Sequence, residues 1–139
     1  GLTEVKTDLV LIHDSSRPIV VKKVVDDVID SLSDYVCAYP VLDLKNSIVV
    51  DKDGELESTP ERNKLKEIQT PQGFQLKWLK RALEELGDQH IHIPELIRRL
   101  GKSVKHVQGS PWLFKITWQP DVYAAHAYLK EFEKSQKSK

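Results

Sequence analysis

The chain is 139 residues long, 40% hydrophobic and 30% charged, which suits one domain with a real buried core. Its 21 Lys and Arg match its 21 Asp and Glu, so the basic excess of a nucleic-acid-coating or membrane-surface protein is missing, and neither partner is expected. The single Cys37 makes no intrachain disulfide or cysteine-based zinc site, and no apolar run approaches membrane-spanning length; a soluble, cytoplasmic protein is expected.

The first element is a strand-like run, Asp8-Leu9-Val10-Leu11-Ile12, that stops abruptly at His13-Asp14-Ser15-Ser16-Arg17-Pro18. Apolar residues giving way to an acid, two hydroxyls and a base predict a buried parallel strand whose carboxyl end opens on a site. In open α/β sheets that edge is where ligands bind. Apolar positions 20, 21, 24, 25, 28, 29 and 32 predict a helix over 20–32, with Lys22, Lys23, Asp26, Asp27 and Asp30 toward solvent. Residues 35–41 read as a second strand, so strand, helix and strand form a βαβ unit with a right-handed crossover and a parallel sheet. Segments 47–50 and 55–59, joined through Asp53-Gly54, read as a hairpin. Its arms are too polar for a covered sheet, so 43–68 is expected to project as an arm suited to subunit contact, with 65–69 leading back. Helices are predicted over 75–86, ended by Gly87, and over 93–100, with Pro94 in the first turn and Gly101 at the end. Short strands are expected at 104–107 and 113–117, then an amphipathic helix at 120–132 and a frayed tail from Glu133.

Several side chains carry chemistry in this layout. Asp14 offers the carboxylate oxygen that a hard divalent ion prefers, or else it caps the adjoining turn. Lys115 lies between Phe114 and Ile116, so on a strand it faces away from both; a solvated edge lysine is the plain alternative. His90 and His92 have a spacing that chelates metal on a strand, yet no third ligand is evident, and His106 and His126 lack partners. No Ser/His/Asp or Cys/His order supports a covalent mechanism, and Cys37 in an apolar strand is expected to be inert. Trp78, Trp112 and Trp118 suit packing better than base stacking. The six glycines are scattered, with no pair at phosphate-cradling spacing.

Four segments in order, Ile12-His-Asp-Ser-Ser-Arg-Pro18, Thr59-Pro-Glu-Arg62, Gln69-Thr-Pro-Gln-Gly-Phe74 and Gly109-Ser-Pro-Trp-Leu-Phe-Lys-Ile-Thr117, resemble the cytidylyltransferases that couple CTP to a sugar-alcohol phosphate. The nearest resemblance is to the 2-C-methyl-D-erythritol 4-phosphate cytidylyltransferase family of non-mevalonate isoprenoid synthesis, with ribitol-5-phosphate cytidylyltransferases close behind. It runs over about 8–132. It implies a three-layer, Rossmann-like α/β nucleotidyltransferase fold, truncated at the amino end, because members begin with a strand and a Gly-rich CTP loop that have no counterpart here. The 139-residue chain by itself is therefore expected to be inactive.

The resemblance also implies roles. Asp14 would serve catalysis, the nucleotide and a metal, Mg2+ or another divalent cation, with Ser15 beside it on the nucleotide. Lys115 would meet phosphate, while Arg17 and Thr70 would face the acceptor; a surface ion pair and ordinary turn-making are their alternatives. Ser47 and Arg62 would reach across a homodimer from the arm into the partner's site, or simply be arm-surface polarity. Where relatives carry Thr-Asp-Asp or Ser-Asp, this chain has Ile91-His92-Ile93. That departure leaves open whether the acceptor is methylerythritol phosphate, ribitol phosphate or another polyol phosphate. It also keeps a non-catalytic dimer scaffold as the competing class.

Overall fold

The computed structural model describes residues 2–87 and 92–137. The elements are β1 (Leu9–Ile12), α1 (Lys22–Ser31), β2 (Cys37–Asp43), β3 (Val50–Lys52), β4 (Glu55–Ser58), β5 (Lys66–Ile68), β6 (Gln72–Gln75), α2 (Leu76–Leu86), α3 (Ile93–Arg99), β7 (Val104–Gln108) and α4 (Gln119–Lys137).

Alternation along β2 sets up the layers, because successive strand side chains point to opposite faces. Cys37 pairs with Phe74 and joins Leu79, Ala82, Leu96 and Ile97 in the core under α2 and α3. Ala38 pairs with Gly73 and joins Val28 and Leu32 under α1. The sheet therefore lies between α1 on one face and α2 with α3 on the other, the expected three-layer arrangement. Val24, Val28 and Leu32 carry the buried stripe of the 20–32 segment. Val20 and Ile29, counted in the apolar set, are 52% and 41% exposed, and the helix begins only at Lys22.

The strand pairing corrects one expectation. β1 and β2 run parallel to each other but are not neighbours: β6 lies between them, antiparallel to both. β5 takes the same edge of β2 farther along, through Val41↔Ile68 to Asp43↔Lys66, and β7 pairs parallel on the opposite edge. The sheet is mixed. Gln72-Gly-Phe-Gln75 lacks the apolar run that announces a central strand, which is why residue patterning predicts no element there. Its Gly73 is needed by packing, since a Cβ there would come within 2.7 Å of Val28 Cγ1 and 3.0 Å of Leu32 Cδ1.

The hairpin forms where expected. β3 and β4 pair antiparallel outside the main sheet, and Asp53 and Gly54 both take positive φ, 55° and 87°, as a two-residue type I′ turn requires. Because β5 belongs to the main sheet, only about 44–65 of the 43–68 segment projects. The helix ends also obey their residues: Gly87 and Gly101 have φ of 65° and 69°, and Pro94 lies in the first turn of α3.

Residues 113–117 do not form the expected strand. Pro111–Leu113 is a 3-10 turn, and the backbone beyond it finds partners outside any ladder. Leu113 O accepts from the Arg17 guanidinium, and Ile116 N–H donates to Ser16 O at 2.9 Å. Thr117 and Trp118 N–H both donate to Asp121 Oδ2, at 2.8 and 2.7 Å, which satisfies free amides where α4 begins and holds the Asp121 carboxyl below its ordinary pKa. With every one of these groups occupied, no strand partner is available to recruit them. α4 runs on to Lys137 instead of fraying at Glu133, and rests on an aromatic cluster of Trp112, Phe114, Tyr128 and Phe132. Among the described residues no helix is long and apolar enough to cross a membrane.

Candidate functional site

The end of β1 delivers His13 and Asp14 into a tight turn closed by Arg17 N–H donating to Asp14 O at 3.0 Å. The turn is fastened to the chain just before β6. Asp14 N–H donates to Thr70 Oγ1 at 3.1 Å, and His13 Nδ1 lies 3.0 Å from the same hydroxyl. His13 Nε2 lies 3.0 Å from Arg17 O, which only accepts, so Nε2 carries the proton and, in the neutral ring, Nδ1 accepts from Thr70. One hydroxyl thus holds both residues of the His-Asp pair.

Asp14 Oδ2 lies between two cations, Arg17 Nε at 3.2 Å and Lys115 Nζ at 3.4 Å. The two differ sharply in surroundings. Arg17 is 7% exposed and also donates to Leu113 O and, at 3.4 Å, to Ile68 O. Lys115 is 47% exposed, with its ammonium free to meet solvent or an anion beside the Asp14 carboxylate. Bringing these groups together requires three separated segments: the 13–17 turn, the 68–70 link and the 113–116 stretch.

Asp14, Thr70 and Lys115 therefore converge as the motifs implied, and Ser15 sits exposed at the tip of the same turn. Lys115 arrives on an irregular link rather than on a strand. Arg17 lies mostly inside: its three nitrogens bind two carbonyls and Asp14, so it holds the site together from within. Ser47 and Arg62 lie exposed on the arm, with Arg62 Nη1 donating to Lys45 O at 3.4 Å. Among the described residues neither has a hydrogen bond or ion pair to the Asp14 cluster. Sequence reasoning passed over His13 and Gln69, which belong to the motifs but received no task; a polar residue flanking each working one was the available signal.

The departure at 91–93 is half visible. His90 and Ile91, and with them the expected His90–His92 pair, lie outside the described residues. His92 accepts from Gln72 Nε2 at 2.8 Å and packs edge-on against Tyr39, and partial burial of its ring pushes its pKa down. It borders a cavity of about 370 Å³ with Tyr39, Ile68, Pro94, Glu95, Arg98 and Val104. Cys37 is fully buried, and burial pushes its thiol up to about 12, which keeps the nucleophilic thiolate scarce at neutral pH.

Among the described residues no cluster of three or more His, Cys, Asp or Glu is placed to hold a metal. Asp14 supplies one carboxylate, which fits Mg2+ in the open manner of nucleotide enzymes, where phosphates and water complete the shell.

Comparison with known proteins matches both the chain and its fold. The family model described as IspD, 2-C-methyl-D-erythritol 4-phosphate cytidylyltransferase, matches residues 1–131. The chain is 36% identical over 125 residues to the 2-C-methyl-D-erythritol 4-phosphate cytidylyltransferase of Roseobacter denitrificans, covering 90% of this chain and 57% of that protein. For the Saccharopolyspora erythraea protein of the same name the values are 37% over 123 residues, 87% and 55%. The crystal structure of the Thermus thermophilus 2-C-methyl-D-erythritol 4-phosphate cytidylyltransferase superposes with a TM-score of 0.84 at 29% identity, over 93% of this chain and 65% of that one. The chain thus spans a little over half the length of the curated relatives it matches. From the His-Asp turn to the Lys115 link, the folded chain belongs to the family of 2-C-methyl-D-erythritol 4-phosphate cytidylyltransferases.

Proposed function

We propose that this chain forms the acceptor-side and dimerising part of a cytidylyltransferase that joins CTP to 2-C-methyl-D-erythritol 4-phosphate. An oxygen of the acceptor phosphate attacks the α-phosphorus of CTP, the bond from that phosphorus to the bridging oxygen breaks, and pyrophosphate leaves with the electron pair. The observation that carries the reading is the meeting of Asp14 and Lys115 from segments about a hundred residues apart, at 3.4 Å and open to solvent.

Each residue has a task in that chemistry. Lys115 offsets the negative charge that builds up on phosphoryl oxygens during transfer, and its partial exposure lets it exchange Asp14 for phosphate. Thr70 and His13 fix the Asp14 backbone, so the carboxylate is oriented before substrate arrives. Asp14 and Ser15 would lie beside the nucleotide. A divalent cation held by Asp14 would neutralise phosphate charge when bound.

The arm supports a homodimer. Ile48, Val49, Val50 and Leu56 are 40%, 56%, 39% and 67% exposed on a two-stranded hairpin, and an isolated hairpin is marginal in water without a surface to cover it. Such a dimer would bring Ser47 and Arg62 to the partner's acceptor, where an Arg fork suits a phosphate. Replacing Arg62 with Ala is expected to raise the acceptor KM by about tenfold or more with the CTP KM unchanged, and Ser47→Ala to raise it less. Unchanged acceptor use in both variants would remove the arm from the site.

His92, bonded to Gln72 at the point of departure from the family pattern, keeps a second acceptor reading open: ribitol 5-phosphate or another polyol phosphate. Pyrophosphate release by the complete protein, offered CTP with each acceptor in turn, separates these readings. Release with methylerythritol phosphate alone supports the main one, and release with another polyol phosphate the alternative. No release with any acceptor supports a non-catalytic scaffold.

A further inference from the structure

Gln69 is 1% exposed, in a position where an amide must have its hydrogen bonds satisfied. Its amide meets a single residue at both ends: Nε2 donates to Ser110 O at 2.9 Å, and Oε1 accepts from Ser110 N–H at 3.0 Å. The side chain thereby imitates a neighbouring strand for one residue of the 109–110 turn. The other side of that turn is tied to β2, where Gly109 N–H donates to Val41 O at 2.8 Å. Gly109 is bare because of this clamp: a Cβ there would lie 2.3 Å from Gln69 Oε1 and 2.9 Å from Val41 O.

The stretch that carries Lys115 leaves directly from the clamp. Ser110 Oγ accepts from Trp112 N–H at 3.3 Å and starts the 3-10 turn, Leu113 O is taken by Arg17, and Ile116 N–H is tied to Ser16. The neighbour of Gln69, Thr70, grips His13 and Asp14 on the other side. Two consecutive residues thus hold the two halves of the site, one by its amide and one by its hydroxyl.

We infer that Gln69 is a positioning residue that sets the separation of Lys115 from Asp14 by clamping the Gly109–Ser110 turn. It acts through Lys115 and touches no substrate. The inference deepens the cytidylyl-transfer reading and rests on it for its kinetic consequence, while its structural consequence stands apart.

The test uses Gln69→Ala, Lys115→Ala and the double variant, each in the complete protein. A shift of Lys115 by about an ångström is expected to lower kcat about a hundredfold in Gln69→Ala, with the KM for CTP changed by less than about threefold. Because Gln69 works through Lys115, adding Gln69→Ala to Lys115→Ala is expected to cost less than about threefold more. A merely structural role would give losses that multiply, and that result overturns the inference, as does wild-type activity in a folded Gln69→Ala. In parallel, acetylation of lysine amines is followed by mass spectrometry, a readout independent of turnover. Lys115 labelling is expected to rise about threefold in Gln69→Ala, the size of one exposed ion pair, with Lys66 unchanged. If the complete wild-type protein releases no pyrophosphate with any acceptor, the transfer reading fails, and labelling alone decides Gln69: an unchanged Lys115 overturns it. Should Gln69→Ala not fold, Gly109→Ala, which drives a methyl into the same clamp, takes its place with the same expected results.

Discussion

Asp14→Asn is expected to lower CTP-dependent pyrophosphate release about a thousandfold, in any form of the protein where that release is measured. The substitution keeps the shape of the side chain and leaves the backbone amide on Thr70, so the turn stays closed. What it removes is the negative charge between Arg17 and Lys115, and with it the carboxylate oxygen a divalent cation would take. Lys115 then has no anion to hold it in place before phosphate arrives. The fold should lose little, because the Asn oxygen can still accept from Arg17 Nε, while the Asp14–Lys115 pair is half exposed and such pairs contribute little to stability. A steady-state assay beside a thermal melt checks both halves of the statement. A loss under about tenfold would take Asp14 out of the chemistry.

The second large effect is on stability. Arg17→Leu is expected to cost about 3 kcal/mol, because it strands the Leu113 and Ile68 carbonyls and leaves Asp14 facing only Lys115. For a domain of this size that corresponds to a fall in Tm of about 10 °C. Arg17→Lys should recover little of it, since one ammonium on a flexible stem does not reproduce a planar fork that reaches three acceptors in different directions. Calorimetry of the three proteins decides the matter. A Leu variant melting within about 2 °C of wild type would mean the guanidinium contacts contribute nothing to the fold.

Arg17 also braces the fold from inside, and that bracing role is not legible in its motif. The motif around it pointed to a site, and the turn, Asp14, Thr70 and Lys115 do meet there. Direction was the missing quantity. The side chain of Arg17 turns inward toward two carbonyls, the buried one of Leu113 and the part-buried one of Ile68, and neither is visible from the residues flanking Arg17. Lys115 gives the converse case. Its alternation with Phe114 and Ile116 suggested a strand, yet Arg17, Ser16 and Asp121 claimed the backbone groups of that stretch first.

Local chemistry was legible wherever it depends on near neighbours. The Asp53-Gly54 turn, the glycine ends of α2 and α3, the proline opening α3 and the buried stripe of α1 stem from φ preferences and helical spacing. The order of strands did not. β6 is four residues with a glycine inside, and its central place depends on Gly73, which has no side chain to clash with Val28 and Leu32 of the helix layer.

By itself, then, the sequence determined which residues are chemically able to work and which family they belong to, since those depend on residue type and spacing. Tertiary structure alone decided that the strand ending at His13-Asp14 lies beside β6, that Arg17 is buried, and that Gln69 and Thr70 join the two halves of the site. These are contacts between residues forty to a hundred positions apart. They are set by which buried polar groups must be satisfied once the chain is packed, a condition that no local pattern of residues expresses.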